Sequence, residues 1–342
     1  MSESTYDKPF KTYSEMIEIL EARNIIVVNK EFAAQAFSNF SYYSIVNGYK
    51  NTFLTTPGTD VFVSGTKFED LYYLNIIDTD LNNILFKYIL YIEKSLKSKL
   101  SFRISEQYGV FTDKSSDLPD DIQDYLHISH YRNSTGMRIN VINKLKKCID
   151  ENRDKKIIKH YITEKNHIPA WILTTVIPFG LAISWYRILC DSDKKYICEV
   201  FIPDLTLDIN RRKEYLIKSL DLSKSYRNII AHGSKIISLS NLPILPKEQT
   251  IKLAGNLLTE EEYNHKLGQN DIYSIFIIIL TLLSDETLLR DFYTDFYVFH
   301  HKYEDFIFNN KTIFKVFGLP EDILKRMEIF LVKKLSIELT TN

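Results

Sequence analysis

Between Phe68 and Glu106 an apolar residue returns every three or four positions: Leu71, Leu74, Ile77, Leu81, Ile84, Leu85, Tyr88, Ile92, Leu96 and Leu100. Only an α-helix with one buried face puts residues at that step on one side, since a strand alternates every two. Nearly forty residues is long for a single helix, so a kink or break is expected within it. A segment of this length needs other helices to cover its apolar face.

The rest of the chain supplies them. Met16, Ile17, Ile19 and Leu20 give an apolar side to a helix over 12–23, with Thr12 or Ser14 as cap. A second helix is predicted near 30–39, followed by a turn at Asn47-Gly48 among Tyr42, Tyr43 and Tyr49. Residues 55–65 read as a loop with a short extended piece at Val61, Phe62 and Val63, and 109–124 as a loop. Helices are expected over 137–163, 171–189 (broken at Pro178-Phe179-Gly180), 191–201, 210–232, 271–289, 289–308 and from Pro320 onward. The chain holds 22 Tyr and 21 Phe but 10 Gly and 9 Pro, which favours helices over β-rich or disordered structure. The fold class is therefore all-α. At 342 residues the chain can bury one large core or two modest ones. Pro243 and Pro246 mark a change of character, so residues 1–240 and 241–342 are taken as a helical domain and a helical C-terminal region.

The stretch with most chemistry is Arg227-Asn228-Ile229-Ile230-Ala231-His232-Gly233. Leu216, Leu220, Leu222, Tyr226 and Ile230 precede or thread it as a buried stripe. Gly233 stands where a helix stops. Asn228 and His232 are four apart and share a face, and the long Arg227 side chain can reach the same rim. The negative end of the helix dipole favours a protonated imidazole, so His232 is poised to exchange a proton. Arg grips phosphate as a two-pronged donor, and His takes or gives a proton. The bland alternative is an Arg and a His that satisfy orphan carbonyls at a helix end.

An Arg-Asn-x-x-x-His helix end resembles the signature of the HEPN superfamily, many of whose members are metal-independent RNases. More of the chain is similar to one branch, the Abi-like (abortive infection) proteins of the AbiD/AbiF type. The similar pieces are Phe40 to Lys50, the Ser64-Gly65-Thr66-Lys67-Phe68-Glu69 turn, Ile92 to Leu100, Pro169-Ala170-Trp171, Pro178-Phe179-Gly180 and the Arg-Asn box, in order over roughly 10–235. The resemblance implies a HEPN-like four-helix bundle with added N- and C-terminal helices, and a phage-defence or toxin-like protein that attacks RNA. Some members are held by a small structured RNA. It also implies that the Ile-Glu-x-x-Leu segment at Ile92-Glu93 packs beside the Arg/His helix. An Arg often follows that Glu; here the place belongs to Lys97. Arg227, Asn228 and His232 are the catalytic candidates. HEPN RNases usually dimerise so that two boxes face one cleft, which implies a homodimer.

Formal charge is −1, so any contact with RNA must use a local patch. From Arg132 to Lys165 there are ten Lys/Arg against four Asp/Glu, and from Arg211 to Lys235 seven against two. The RNA-binding candidates are Lys97, Arg103, Lys144, Lys147, Arg211, Arg212, Lys224 and Lys235. An ordinary solvated face is the alternative, as is core packing rather than base stacking for Tyr42, Tyr43 and Tyr49. Residues 259–306 are acidic, ten Asp/Glu against three Lys/Arg. His300-His301 is adjacent and lacks the spacing of a metal site, so no metal and no cofactor is expected. The apolar run Ile272–Leu283 is too short for a membrane span and reads as a buried helix. Cys148, Cys190 and Cys198, odd in number, read as reduced thiols in a cytoplasmic protein. Two other functions fit the same residues: RNA binding without cleavage, with the box as a phosphate site, and a chain that is itself nucleotidylated on a Tyr near the box.

Overall fold

The structure is a computed structural model that describes residues 9–56, 58–112, 124–132, 136–237 and 241–340. It is all-α. The helices are α1 (Tyr13–Ala22), α2 (Lys30–Tyr42), α3 (Phe68–Tyr108), α4 (Arg138–Glu151), α5 (Lys156–Glu164), α6 (Ala170–Leu173), α7 (Phe179–Ile188) and α8 (Asp191–Phe201). They continue as α9 (Ile209–Ala231), α10 (Lys247–Ala254), α11 (Glu260–Asn264), α12 (Ile272–Leu282), α13 (Glu286–Tyr303), α14 (Ile313–Val316) and α15 (Ile323–Thr340). Among the described residues the only sheet is a hairpin pairing Ile307–Phe308 with Lys311–Thr312. Asn309 and Asn310 turn it at positive φ (50° and 59°), the geometry that two-residue hairpins require.

Helix α3 is the spindle. The expected break does not occur: its 41 residues run without interruption, because no Pro or Gly stands between Phe68 and Tyr108. Helices α6, α7, α8, α9, α12 and α13 all pack on it. The predicted stripe is its buried face, from Leu71 and Leu74 through Leu96 and Leu100, although Ile84 is only half-buried. Asp78, Asn82, Glu93 and Ser101 are buried on the same helix. Buried polar groups need partners, and Asp78, Asn82 and Glu93 bear on the site below.

Helix α1 starts at Thr12, whose side chain and that of Glu15 form a capping box. Asn47-Gly48 is not a turn. The chain past Tyr42 widens into a π-helix, Tyr43–Asn47, and Gly48 keeps helical angles. Burial of Ile45, Val46 and Tyr49 against the core outweighs the local turn preference there. The predicted 137–163 segment is a pair, α4 and α5, and Pro178 separates α6 from α7 as breakers should. Most of the 109–124 loop lies outside the described residues, as does 238–240, where the division between the two regions falls. The C-terminal helices share the core cluster with the rest. Lys87 Nζ and the Tyr88 hydroxyl of α3 donate to Asp295 of α13 at 2.8 and 2.7 Å, and α12 packs on α3 and α9. Nearly all of α12 is buried, and no helix among the described residues is long and apolar enough to cross a membrane.

Candidate functional site

Asp208 opens α9, its carboxylate accepting from the backbone N–H of Asn210 (2.9 Å) and Arg211 (3.1 Å). Tyr215, Leu216, Leu220, Leu222 and Tyr226 face the core. At the other end the Gly233 N–H bonds to the Ile230 carbonyl and the Ser234 N–H to the Ile229 carbonyl, at 2.9 and 3.0 Å. Together with φ +67° at Gly233 this is a Schellman stop. The chain turns away there, and Asn228 and His232 stay exposed on the last turn.

Arg227 points the other way, toward α3. Its Nε stands 3.8 Å from Oε2 of Glu93, while Lys97 Nζ holds Oε1 of the same carboxylate at 2.7 Å. The guanidinium also donates to the Asn228 side-chain oxygen at 3.4 Å. Glu93 is 8 % exposed. Such a carboxylate is tolerable only beside cations, and α3 and α9 supply one each. Neither Glu93 Oε2 nor Arg227 Nε makes a hydrogen bond among the described residues. At 3.8 Å they are too far apart for a direct one. The packing of the Ile92-Glu93 segment beside the Arg/His helix is as the resemblance implied.

On the α3 side of Glu93 lies a cavity of 470 Å³ lined by Glu93, Lys94, Lys97, Ser98, Trp171 and Thr175, among others. Trp171 is half-exposed on its wall. Pro169, fixed in φ, starts α6 at that point and aims the indole outward while Ala170, Ile172 and Leu173 anchor the turn in the core.

The remaining predicted residues divide. Lys144 and Lys147 are exposed on α4, and Lys147 reaches Glu151 at 3.4 Å. Arg211 is exposed but ion-paired with Asp208 and Glu248. Lys224 is half-buried and lies against Gly180 of α7. Arg103 is not on an open face: Asp193 and Glu106 each hold it at 2.7 Å, and it stacks over Tyr196. Arg212 is buried, donating to the Ile202 carbonyl at 3.0 Å. Lys235 is spent on the Asn47 (3.0 Å) and Gly48 carbonyls, and desolvation lowers its pKa despite nearby Asp78. Counting charge along the sequence cannot separate these three from surface lysines, because their acceptors are distant in the chain or are backbone.

Reading the sequence missed a buried network behind the box. Asp78 accepts from the Tyr49 hydroxyl at 2.9 Å and from Asn82 Nδ2 at 3.1 Å. Burial pushes its carboxyl up to about 6 against the pull of those donors, the Ile236 N–H and Lys235. The network ties the chain just past His232 to α3. His300 and His301 do gain a nearby carboxylate: ligand atoms of His300, His301 and Glu304 lie within 4.8 Å of one another. His300 is stacked on Phe314 at 4.1 Å, and burial lowers its pKa.

A family model described as Abi-like protein matches residues 35–238, more than half of the chain. That span runs from within α2 past the end of α9 and contains both the Arg-Asn box and Glu93. No curated protein and no solved structure matches the chain.

Proposed function

The chain belongs to the Abi-like protein family, and on that premise we propose that it is a HEPN-type endoribonuclease of an abortive-infection system. In this reading it cleaves RNA without a metal, by transphosphorylation. The RNA's own 2′-hydroxyl attacks the adjacent phosphorus, the 5′-oxygen leaves, and a 2′,3′-cyclic phosphate and a 5′-hydroxyl result. One base takes the proton from the 2′-hydroxyl and one acid returns a proton to the leaving oxygen. Each chain offers a single exposed His232 at the box. A homodimer with a twofold axis brings a second copy of it to the same cleft, so one imidazole serves as base and the other as acid. Arg227 stabilises charge growing on the phosphorane, and Asn228 positions the ribose or the guanidinium. A small structured RNA seated in that cleft holds the enzyme inactive in the cytoplasm until infection.

The observation that supports this best is the end of α9. Asn228 and His232 are exposed, and Arg227 is only partly covered and stands 3.8 Å from Glu93, which lines an open cavity. The test is expression of native protein, Arg227→Ala and His232→Ala, with host growth and RNA integrity as readouts. Loss of toxicity and of cleavage in both variants is expected. Cleavage that persists in either variant refutes the assignment. RNA binding that weakens with salt, without any cleavage by native protein, would instead mark a binding protein that uses the box as a phosphate site.

A further inference from the structure

The cavity beside the box is built from three kinds of surface. Trp171 presents half of an indole from the start of α6. Lys94 and Lys97 supply ammonium groups from successive turns of α3, and Ser98 and Thr175 supply hydroxyls on the rim. Its inner wall is Glu93, more than nine-tenths buried, with Oε2 making no hydrogen bond. Arg227 Nε stands 3.8 Å from that same oxygen, also without a hydrogen bond. Both atoms are closed off from solvent, so what the cavity offers a ligand is the indole, the two lysines and the rim hydroxyls.

We propose that this cavity is a nucleotide subsite for single-stranded RNA, in which one base stacks on Trp171 next to the scissile position. The inference rests on the ribonuclease reading and adds to it where a flanking nucleotide sits. Charge agrees: Lys94, Lys97 and Arg227 against Glu93 leave a net of two positive charges around the pocket, suited to one or two phosphates. Shape agrees too, since 470 Å³ falls within the ordinary range for small-ligand sites. A planar group is favoured because the indole is a flat platform fixed by a buried turn, and every base has a face to lay on it. Base identity is left open by such a site, because stacking is tolerant of sequence.

The test separates binding from cutting. A fluorescein-labelled single-stranded RNA with every 2′-hydroxyl methylated cannot cleave itself, so its anisotropy reports binding alone. Stacking of one base is worth roughly 5- to 150-fold in affinity. Trp171→Ala should weaken binding by about tenfold or more, Trp171→Phe by less than about threefold, and Ser98→Glu, at an exposed position on the rim, by about tenfold. Intrinsic fluorescence gives a second readout: the chain has two tryptophans and Trp185 is fully buried, so quenching by the RNA should vanish in Trp171→Phe. The proposal is overturned if Trp171→Ala binds the methylated RNA as tightly as native protein, or if native protein does not bind it. If binding follows these expectations while no protein cuts unmodified RNA, the subsite stands and the nuclease reading falls.

Discussion

Asp78 offers a direct measure of how the fold is held behind the box. Its carboxyl is buried on α3, accepts from Tyr49 and Asn82, and is pushed from the ordinary 3.8 to about 6 by loss of solvent. Folding therefore favours the protonated form. The stability this gives is fully present below the unfolded value of 3.8 and is lost as pH rises through about 6. A rise from 3.8 to about 6 is worth about 3 kcal/mol, most of it lost between roughly pH 4 and pH 8. Asp78→Asn keeps the shape and an acceptor for Tyr49 but cannot ionise. Urea unfolding of native and variant protein at both pH values isolates this one group. Asp271, which burial likewise raises to about 6, titrates in both proteins and cancels from the difference. The stability of the variant relative to native protein should rise by about 2 kcal/mol from pH 4 to pH 8. A difference that is flat with pH, or that moves in favour of native protein as pH rises, refutes the assignment of a strained buried carboxylate.

Glu93→Gln should destabilise the protein by roughly 2 kcal/mol in the same assay, because it strips the shared counter-charge from Lys97 and Arg227 in a largely desolvated place; unchanged stability would show that the cluster does not bind α3 to α9. Gly233→Ala has open space around the new Cβ but must hold φ +67°, so a cost of about 1 kcal/mol is expected by thermal melting. The same substitution should perturb the His232 imidazole signals in NMR, since Gly233 is what turns the chain past the box.

Much of the architecture was legible from residue order. The step of Leu71, Leu74, Leu81 and Leu85 is enough to predict a helix, because periodicity is a property of the chain itself. The end of α9 was equally local: Gly233 stops the helix, and Asn228 and His232 then share its exposed last turn. Where neighbours in space outvote neighbours in sequence, reading failed. Asn47-Gly48 looks like a turn, yet burial of the residues around it keeps it helical. The 41-residue α3 looked long enough to break, yet it runs without interruption with six helices packed along it.

The chemistry divides along the same line. The sequence by itself determined the helical class and the gathering of an Arg, an Asn and a His at one helix end, because helical spacing and a terminal glycine act over a few residues. Only the tertiary structure decided which cations are free to meet a ligand. Arg212 and Lys235 turn inward to carbonyls, and Arg103 to Asp193, while Lys97 and Arg227 converge on Glu93. A charge is committed by whatever surrounds it once water has been excluded, and the partners of Arg103 and Lys235 lie 90 and 188 residues away in the chain.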